Sequence, residues 1–283
     1  MATKPEPDID LTGSLAKGLR VLACFDADHP RLTAREIAAR TGINRASVYR
    51  IVRTLEALGY VEAGDDGSYT PTIRVLGLGH AAIGSQEVVH LVRPRLERLR
   101  DELTDATALS YGVLDDTDVV YVLRLVRKEI IAINLHVGTR LPCYLSSIGK
   151  SILAAMPEEE REAVLARIRV EPRTKFTARD VSVVRQSIRK ARESGIAIND
   201  QELTVGLRSV AAPIMQGEQV QGAINVALPT TRATLEVLRD RYGRRLLAVA
   251  QEISHQLSER AEALGYLPPG GGRLKGVARS ATP

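Results

Sequence analysis

The stretch from Thr33 to Asn44 constrains this chain more than any other. Thr33-Ala-Arg-Glu36 has the form of a capping box, in which the Thr hydroxyl and the Glu carboxylate reciprocally satisfy free backbone N–H groups. The short helix it opens is expected to end at Gly42, where a left-handed turn is cheapest. Ile43 fills the corner. Asn44 then caps a further helix, to about Leu58, with Val48, Ile51, Val52, Leu55 and Leu58 as its apolar stripe. Two short helices joined by Thr41-Gly-Ile-Asn44 have the length and composition of a helix-turn-helix. Upstream, Ser14 is expected to cap a helix from Leu15 to about Asp26, with Leu15, Leu19, Leu22 and Phe25 on one face. Downstream, Tyr60-Val-Glu and Tyr69-Thr-Pro-Thr flank the polar turn Gly64-Asp-Asp-Gly67 and read as a hairpin. Three helices and a hairpin over residues 14–73 make a winged helix-turn-helix.

The charge pattern points the same way, but only locally. The chain has 283 residues with 39 Lys+Arg against 34 Asp+Glu, a net +5. Residues 1–85 carry ten basic and ten acidic side chains, so this region as a whole is neutral. Arg31 to Leu58 holds six Arg against Glu36 and Glu56, a local +4. An Arg-studded helix on its own is usually a solvated face; here it stands inside an ordered set of caps, turn and hairpin. The face opposite the stripe displays Arg45, Ser47, Tyr49, Arg50 and Arg53, with Thr33 and Asn44 at the two helix starts. Arg can bond guanine through two donors and can hold phosphate, so the expected partner is a double-stranded DNA operator. Asp65 and Asp66 at the hairpin tip argue against deep insertion of the wing beside phosphate.

Beyond the hairpin, Arg74 to Ser85 is a connector helix weakened by its glycines. Gln86 to Leu103 continues as a stronger amphipathic helix that Pro94 should kink or restart. Ala106–Leu114, Val119–Val126 and Ile130–His136 are β-branched-rich runs expected as strands. Ser146 to Met156 is a short helix, and Pro157 takes N1 of another. Thr177-Ala-Arg-Asp180 reads as a second capping box, opening a helix to Gly195. Strands Leu207–Met215 and Val220–Leu228 join around Gly217, and a long helix from about Thr234 to Ala263 closes the domain. The fold class is α+β, with a mixed, largely antiparallel sheet and packed helices over 86–264. Residues 1–13 read as disordered, and 265–283 as a flexible basic tail with Arg273, Lys275 and Arg279.

Several function classes drop out. No run approaches the ~18–20 apolar residues of a membrane span, and the acidic start is no signal peptide. Cys24 and Cys143 stand too far apart for a disulfide framework or a Cys-based zinc site, which suits a reducing, cytoplasmic setting. The five His (29, 80, 90, 136, 255) show no metal-ligand spacing, and neither a nucleophile elbow nor a P-loop is present. No cofactor, metal or catalytic set is expected. The competing readings are a constitutive DNA-binding protein without a ligand and a small-molecule enzyme that carries a helix-turn-helix.

A ligand site is expected at the Ser146 helix. Ser146 and Ser147 stand at a helix N-terminus, where free N–H groups and the dipole favour an anion. The loop Val137–Leu145 brings Arg140 and Tyr144 close in sequence. A small aromatic carboxylate suits such a pocket. The alternative is that the serines only cap, Lys150 is solvated and Arg140 is in a structural ion pair. Tyr111, Tyr121 and Arg124 are open between pocket, core and surface.

The chain resembles the IclR family of bacterial transcription regulators. The likeness begins at Ser14-Leu-Ala-Lys-Gly-Leu-Arg-Val-Leu22 and runs through Leu32–Ile43 and Tyr49–Tyr60. It resumes at Val137–Pro142, Ser147-Ile-Gly-Lys150, Gly195–Glu202 and Gly206–Pro213. Within the family, Asn199-Asp-Gln-Glu-Leu203 with Gly206-Leu-Arg-Ser209 looks most like the branch regulating β-ketoadipate-pathway and hydroxybenzoate genes. The resemblance implies a winged helix domain, a linker helix, a C-terminal GAF-like effector domain, and homodimers or homotetramers on palindromic operators. It implies an effector pocket at Tyr144, Ser146, Ser147, Ile148, Gly149, Asn199, Ser209, Asn225 and Ala227. Many relatives have an acid at the position of Asn199, a Cys at that of Ser209, and Ser at those of Asn225 and Ala227. These departures remove a charge and a thiol, so a preference for glyoxylate-like acids need not transfer. The expected effector is a small organic acid such as protocatechuate, 4-hydroxybenzoate or β-ketoadipate.

Overall fold

The computed structural model describes residues 13–26, 28–84, 87–127 and 135–263. The expected disordered start, most of the Ile130–His136 strand and the basic tail lie outside them. Two compact units emerge, Met1–Ser85 and Gln86–Pro283.

The first unit is built on its caps. Helix α1 (Gly13–Ala23) is followed by a short strand β1 (Leu32–Thr33), helix α2 (Ala34–Thr41) and helix α3 (Arg45–Ala57). Thr33 caps α2 within a complete capping box, and Gly42 closes it at φ 70°. The Asn44 side chain accepts the Ser47 N–H at 2.9 Å and opens α3. Strands β2 (Val61–Ala63) and β3 (Ser68–Pro71) form the hairpin, and β1 adds to it in the order β1-β3-β2. Helix α4 (Arg74–Gly84) ends the unit, with the Arg74 guanidinium donating to the Leu58 carbonyl at 2.6 Å.

The core of this unit differs from the expected stripes. Val21, Ile37, Ile43, Val48, Val52 and Leu55 are buried together. Leu15 and Leu19 stay 63% and 56% exposed, because α1 turns Val21 inward and only Leu22 and Phe25 pack from the expected face. Leu58 also lies outside, as the C-cap of α3. Leu15, Leu19, Leu58 and Leu78 therefore line an open apolar groove.

The second unit is a six-stranded antiparallel sheet between helices. Helix α5 (Glu87–Glu102) runs through Pro94 as one element, without the expected restart. Then come β4 (Ala108–Asp115), β5 (Asp118–Val126), β6 (Arg140–Pro142), a 3-10 turn at Cys143–Leu145, α6 (Ser147–Ala155), α7 (Glu158–Leu165) and α8 (Val181–Ser194). Next are β7 (Ala197–Asp200), β8 (Leu207–Gln216) and β9 (Gln219–Pro229). The final run begins with a turn α9 (Leu235–Val237), passes through a π segment at Leu238–Gly243, and continues as α10 (Arg244–Ala263). The sheet order is β6-β5-β4-β9-β8-β7. Helix α6 packs on β4, β7, β8 and β9, while α10 and α5 pack on the sheet from β8 and β9 to β4 and β5.

Two local expectations change. The second capping box does not form: Asp180 caps α8 alone, accepting from Ser182 and Val183 N–H groups. Thr177 instead turns its hydroxyl to the Glu202 carbonyl at 2.7 Å. Pro157 is the N-cap residue of α7 rather than its first helical residue.

Candidate nucleic-acid interface and effector cavity

Helix α3 presents a cationic outer face. Val48, Val52 and Leu55 point into the core, which leaves Arg45, Tyr49, Arg50 and Arg53 exposed and Ser47 half-buried. Arg53 approaches Glu56 at 3.8 Å, whereas Arg45 and Arg50 have no ion pair among the described residues. Thr33 and Asn44 spend their side chains on caps, which fixes the start of each helix. On the hairpin, Asp66 is held by the Ser68 N–H and hydroxyl, and these bonds keep its carboxyl below the ordinary range. That acid shapes the turn.

The second unit holds a small cavity, of about 30 Å³, between the sheet and the start of α6. The register explains which residues meet there. Asn199 pairs with Ser209, Ser209 with Ala227, and Ala227 with Ala108, forming one row across four strands. A second row joins Asn225 to Ser110 and Ser110 to Arg124. Both rows share a face and line the cavity through Asn199, Ser209, Ala227, Ala108, Asn225 and Arg124. Leu145, Ser146 and Leu203 also line it, and Thr107, Tyr121, Leu135 and Leu207 complete the wall.

Tyr121 and Arg124 reach one face only because β5 is irregular. Tyr111 pairs with Leu123 but Gly112 pairs with Tyr121, so Val122 is an extra residue. Strand side chains alternate, and residues three apart would otherwise face opposite ways. Tyr111 faces away and donates its hydroxyl to the Gln221 carbonyl at 2.6 Å.

Most polar groups around the cavity are already bonded. Ser147 and Ser209 share a buried hydrogen bond at 2.8 Å. Asn199 donates to the Leu145 carbonyl at 2.8 Å and accepts the Glu202 N–H at 3.3 Å. Ser146 Oγ accepts the Ile148 N–H at 3.2 Å. Lys150, buried, is paired with Glu202 rather than solvated. By contrast, Thr107 Oγ1, Arg124 Nε and Asn225 Oδ1 are buried without a hydrogen-bond partner. Burial pulls the Arg124 guanidinium below its ordinary value, and the Tyr121 phenol opposes that shift. Arg remains a cation regardless.

Four of the expected effector residues do not line the cavity. Tyr144 sends its hydroxyl to the Glu171 backbone, accepting the N–H at 2.9 Å. Ile148 is core and lies beside Gly112. Gly149 serves close packing: a Cβ there would sit 2.2 Å from the Cys143 carbonyl oxygen. Ser147 stands one layer back, holding Ser209 and, at 3.5 Å, Asn225. Arg140 is ion-paired with Asp115 and Asp118 at the surface. The Cys143 thiol, pushed up to about 12 by burial, is inert packing. Thr107, inside the expected strand Ala106–Leu114, was missed; the observed strand starts one residue after it, and the alternating pattern gives no sign that Thr107 lines the cavity.

The described residues hold no group of three or more His, Cys, Asp or Glu placed for a metal, and no helix long and apolar enough to cross a membrane.

Residues 80–255 match the family described as bacterial transcriptional regulator IclR C-terminal, and residues 14–65 match the IclR helix-turn-helix domain. The Pca regulon regulatory protein of Pseudomonas putida is 37% identical over 252 residues, covering 88% of this chain and 86% of that protein. The p-hydroxybenzoate hydroxylase transcriptional activator of Acinetobacter baylyi is 28% identical over 239 residues, covering 82% and 86%. An IclR homolog from Microbacterium hydrocarbonoxydans, solved in complex with 4-hydroxybenzoate, shares the fold with a TM-score of 0.69 at 23% identity, covering 88% and 99%. The chain belongs to the IclR family of DNA-binding transcriptional regulators, with regulators of Pca and p-hydroxybenzoate genes among its relatives.

Proposed function

We propose that this regulator responds to a small organic acid and controls genes of aromatic-acid catabolism. The observation that carries the reading is the cavity of the second unit, which places the Arg124 cation beside apolar and neutral polar walls. The names of the relatives and the 4-hydroxybenzoate held by the Microbacterium homolog support an aromatic acid. The first unit binds a palindromic operator, α3 in the major groove. Pairing into homodimers or homotetramers places two such helices on one site, and the exposed Leu15, Leu19 and Leu58 supply apolar surface for it. Effector binding then changes the spacing of the two recognition helices, with the Gly-containing α4 as the connecting element. No step of this scheme needs catalysis or a cofactor.

The test is thermal melting of the full chain with protocatechuate, 4-hydroxybenzoate and β-ketoadipate. A ligand that binds the native state raises the melting temperature with its concentration. Stabilisation by at least one acid is expected. A flat response to all three would favour constitutive DNA binding without a ligand.

A further inference from the structure

We propose that Arg124 reads the carboxylate of the effector, that Asn225 and Thr107 read its hydroxyl, and that the ligand class is therefore hydroxy-substituted monocarboxylic acids. The assignment rests on the reading of this chain as an acid-responsive regulator.

Five buried side-chain atoms among the described residues lack a hydrogen-bond partner, and three of them belong to residues that line this cavity. Leaving such a group unsatisfied costs about 1–3 kcal/mol, so three around one space mark a place built for a missing partner. The three differ in chemistry. Arg124 is a cation whose one hydrogen bond is to the Ser110 hydroxyl at 3.2 Å, with no carboxylate near it among the described residues. Its Nε is unbonded, and a guanidinium edge matches the two oxygens of a carboxylate. Asn225 and Thr107 are neutral, 4% and 7% exposed. An amide and a hydroxyl each bond a ligand hydroxyl, which both donates and accepts, so this holds whichever way the amide is turned.

The other polar groups close by already hold internal bonds. At the start of α6, Ser146 caps Ile148 and Ser147 is held by Ser209. Lys150 is neutralised by Glu202. Arg124 is thus the single unpaired cation lining the cavity among the described residues, which suits one carboxylate. It stands two strands from Asn225 in the same row, roughly 10 Å between backbones, so acid and hydroxyl are read at separated points of one ligand.

Calorimetric titration of the full chain with 4-hydroxybenzoate, 4-hydroxybenzamide and benzoate tests this. Wild type should bind 4-hydroxybenzoate more tightly than either analogue. Arg124→Gln should weaken the acid by about tenfold or more while leaving the amide nearly unchanged, since only the charged partner is lost. Arg124→Lys should keep part of the acid preference. Asn225→Leu should erase the preference for 4-hydroxybenzoate over benzoate but keep that for acid over amide. Operator binding by each variant checks its fold, and Arg124→Lys and Asn225→Leu carry the test should Arg124→Gln fail it. An unchanged acid-to-amide ratio in Arg124→Gln or Arg124→Lys would overturn the assignment alone. Failure of wild type to bind any of the three would overturn the aromatic-acid reading and this assignment together.

Discussion

Arg50 and Arg53 sit one turn apart on α3, yet they should not contribute equally. Arg50 is exposed and without an ion pair among the described residues, while Arg53 lies 3.8 Å from Glu56. Arg50→Ala should weaken specific operator binding by about 1–3 kcal/mol at fixed salt, as expected for loss of a base contact. Arg53→Ala should cost less and act mainly by lowering the salt dependence, as a phosphate contact would. Fluorescence anisotropy with operator DNA at several salt concentrations separates the two; equal losses with equal salt slopes would contradict the assignment. At this scale the outward face of α3 was legible because caps and helical period fix which side points out. The residues lining the cavity were less so. Tyr121 and Arg124 share a face only through the extra residue Val122, and nothing in an alternating pattern announces a bulge. Gly149 entered the expected pocket only through the family resemblance, and the close approach of Cys143 is what demands glycine there.

Among the elements, the segment after β7 is an irregular piece of the second unit tied by long-range bonds. It supplies Leu203 to the cavity, next to Asn199 at the end of β7. Thr174 and Thr177 donate to the carbonyls of Gln201 and Glu202, and the Glu202 carboxylate holds the buried Lys150 of α6. Removing one partner of a buried pair leaves the other charge uncompensated, at about 3–5 kcal/mol. Lys150→Met should therefore lower stability by that amount in urea denaturation, and the double variant Lys150→Met/Glu202→Leu should recover most of it. A single variant as stable as wild type would show that the pair does not pin this segment. The sequence supported short helices and strands wherever a cap or a period was local. It misread Thr177, whose hydroxyl is claimed by a loop 25 residues away, since long-range partners leave no local signal.

On the scale of the whole molecule, the net +5 says little, because the first 85 residues are neutral and the cationic face is local. The two compact units carry an Arg-bearing helix and a cavity lined by Arg124, and the proposed function makes their ligands linked. Thermodynamics requires that coupling to be reciprocal. The most direct measurement is therefore the operator affinity of the full chain with and without saturating effector, beside the effector affinity with and without saturating operator. Both should change by the same factor, about 5–150-fold for a typical regulatory coupling. Two affinities that each stay the same when the other ligand is saturating would contradict ligand-responsive control of DNA binding.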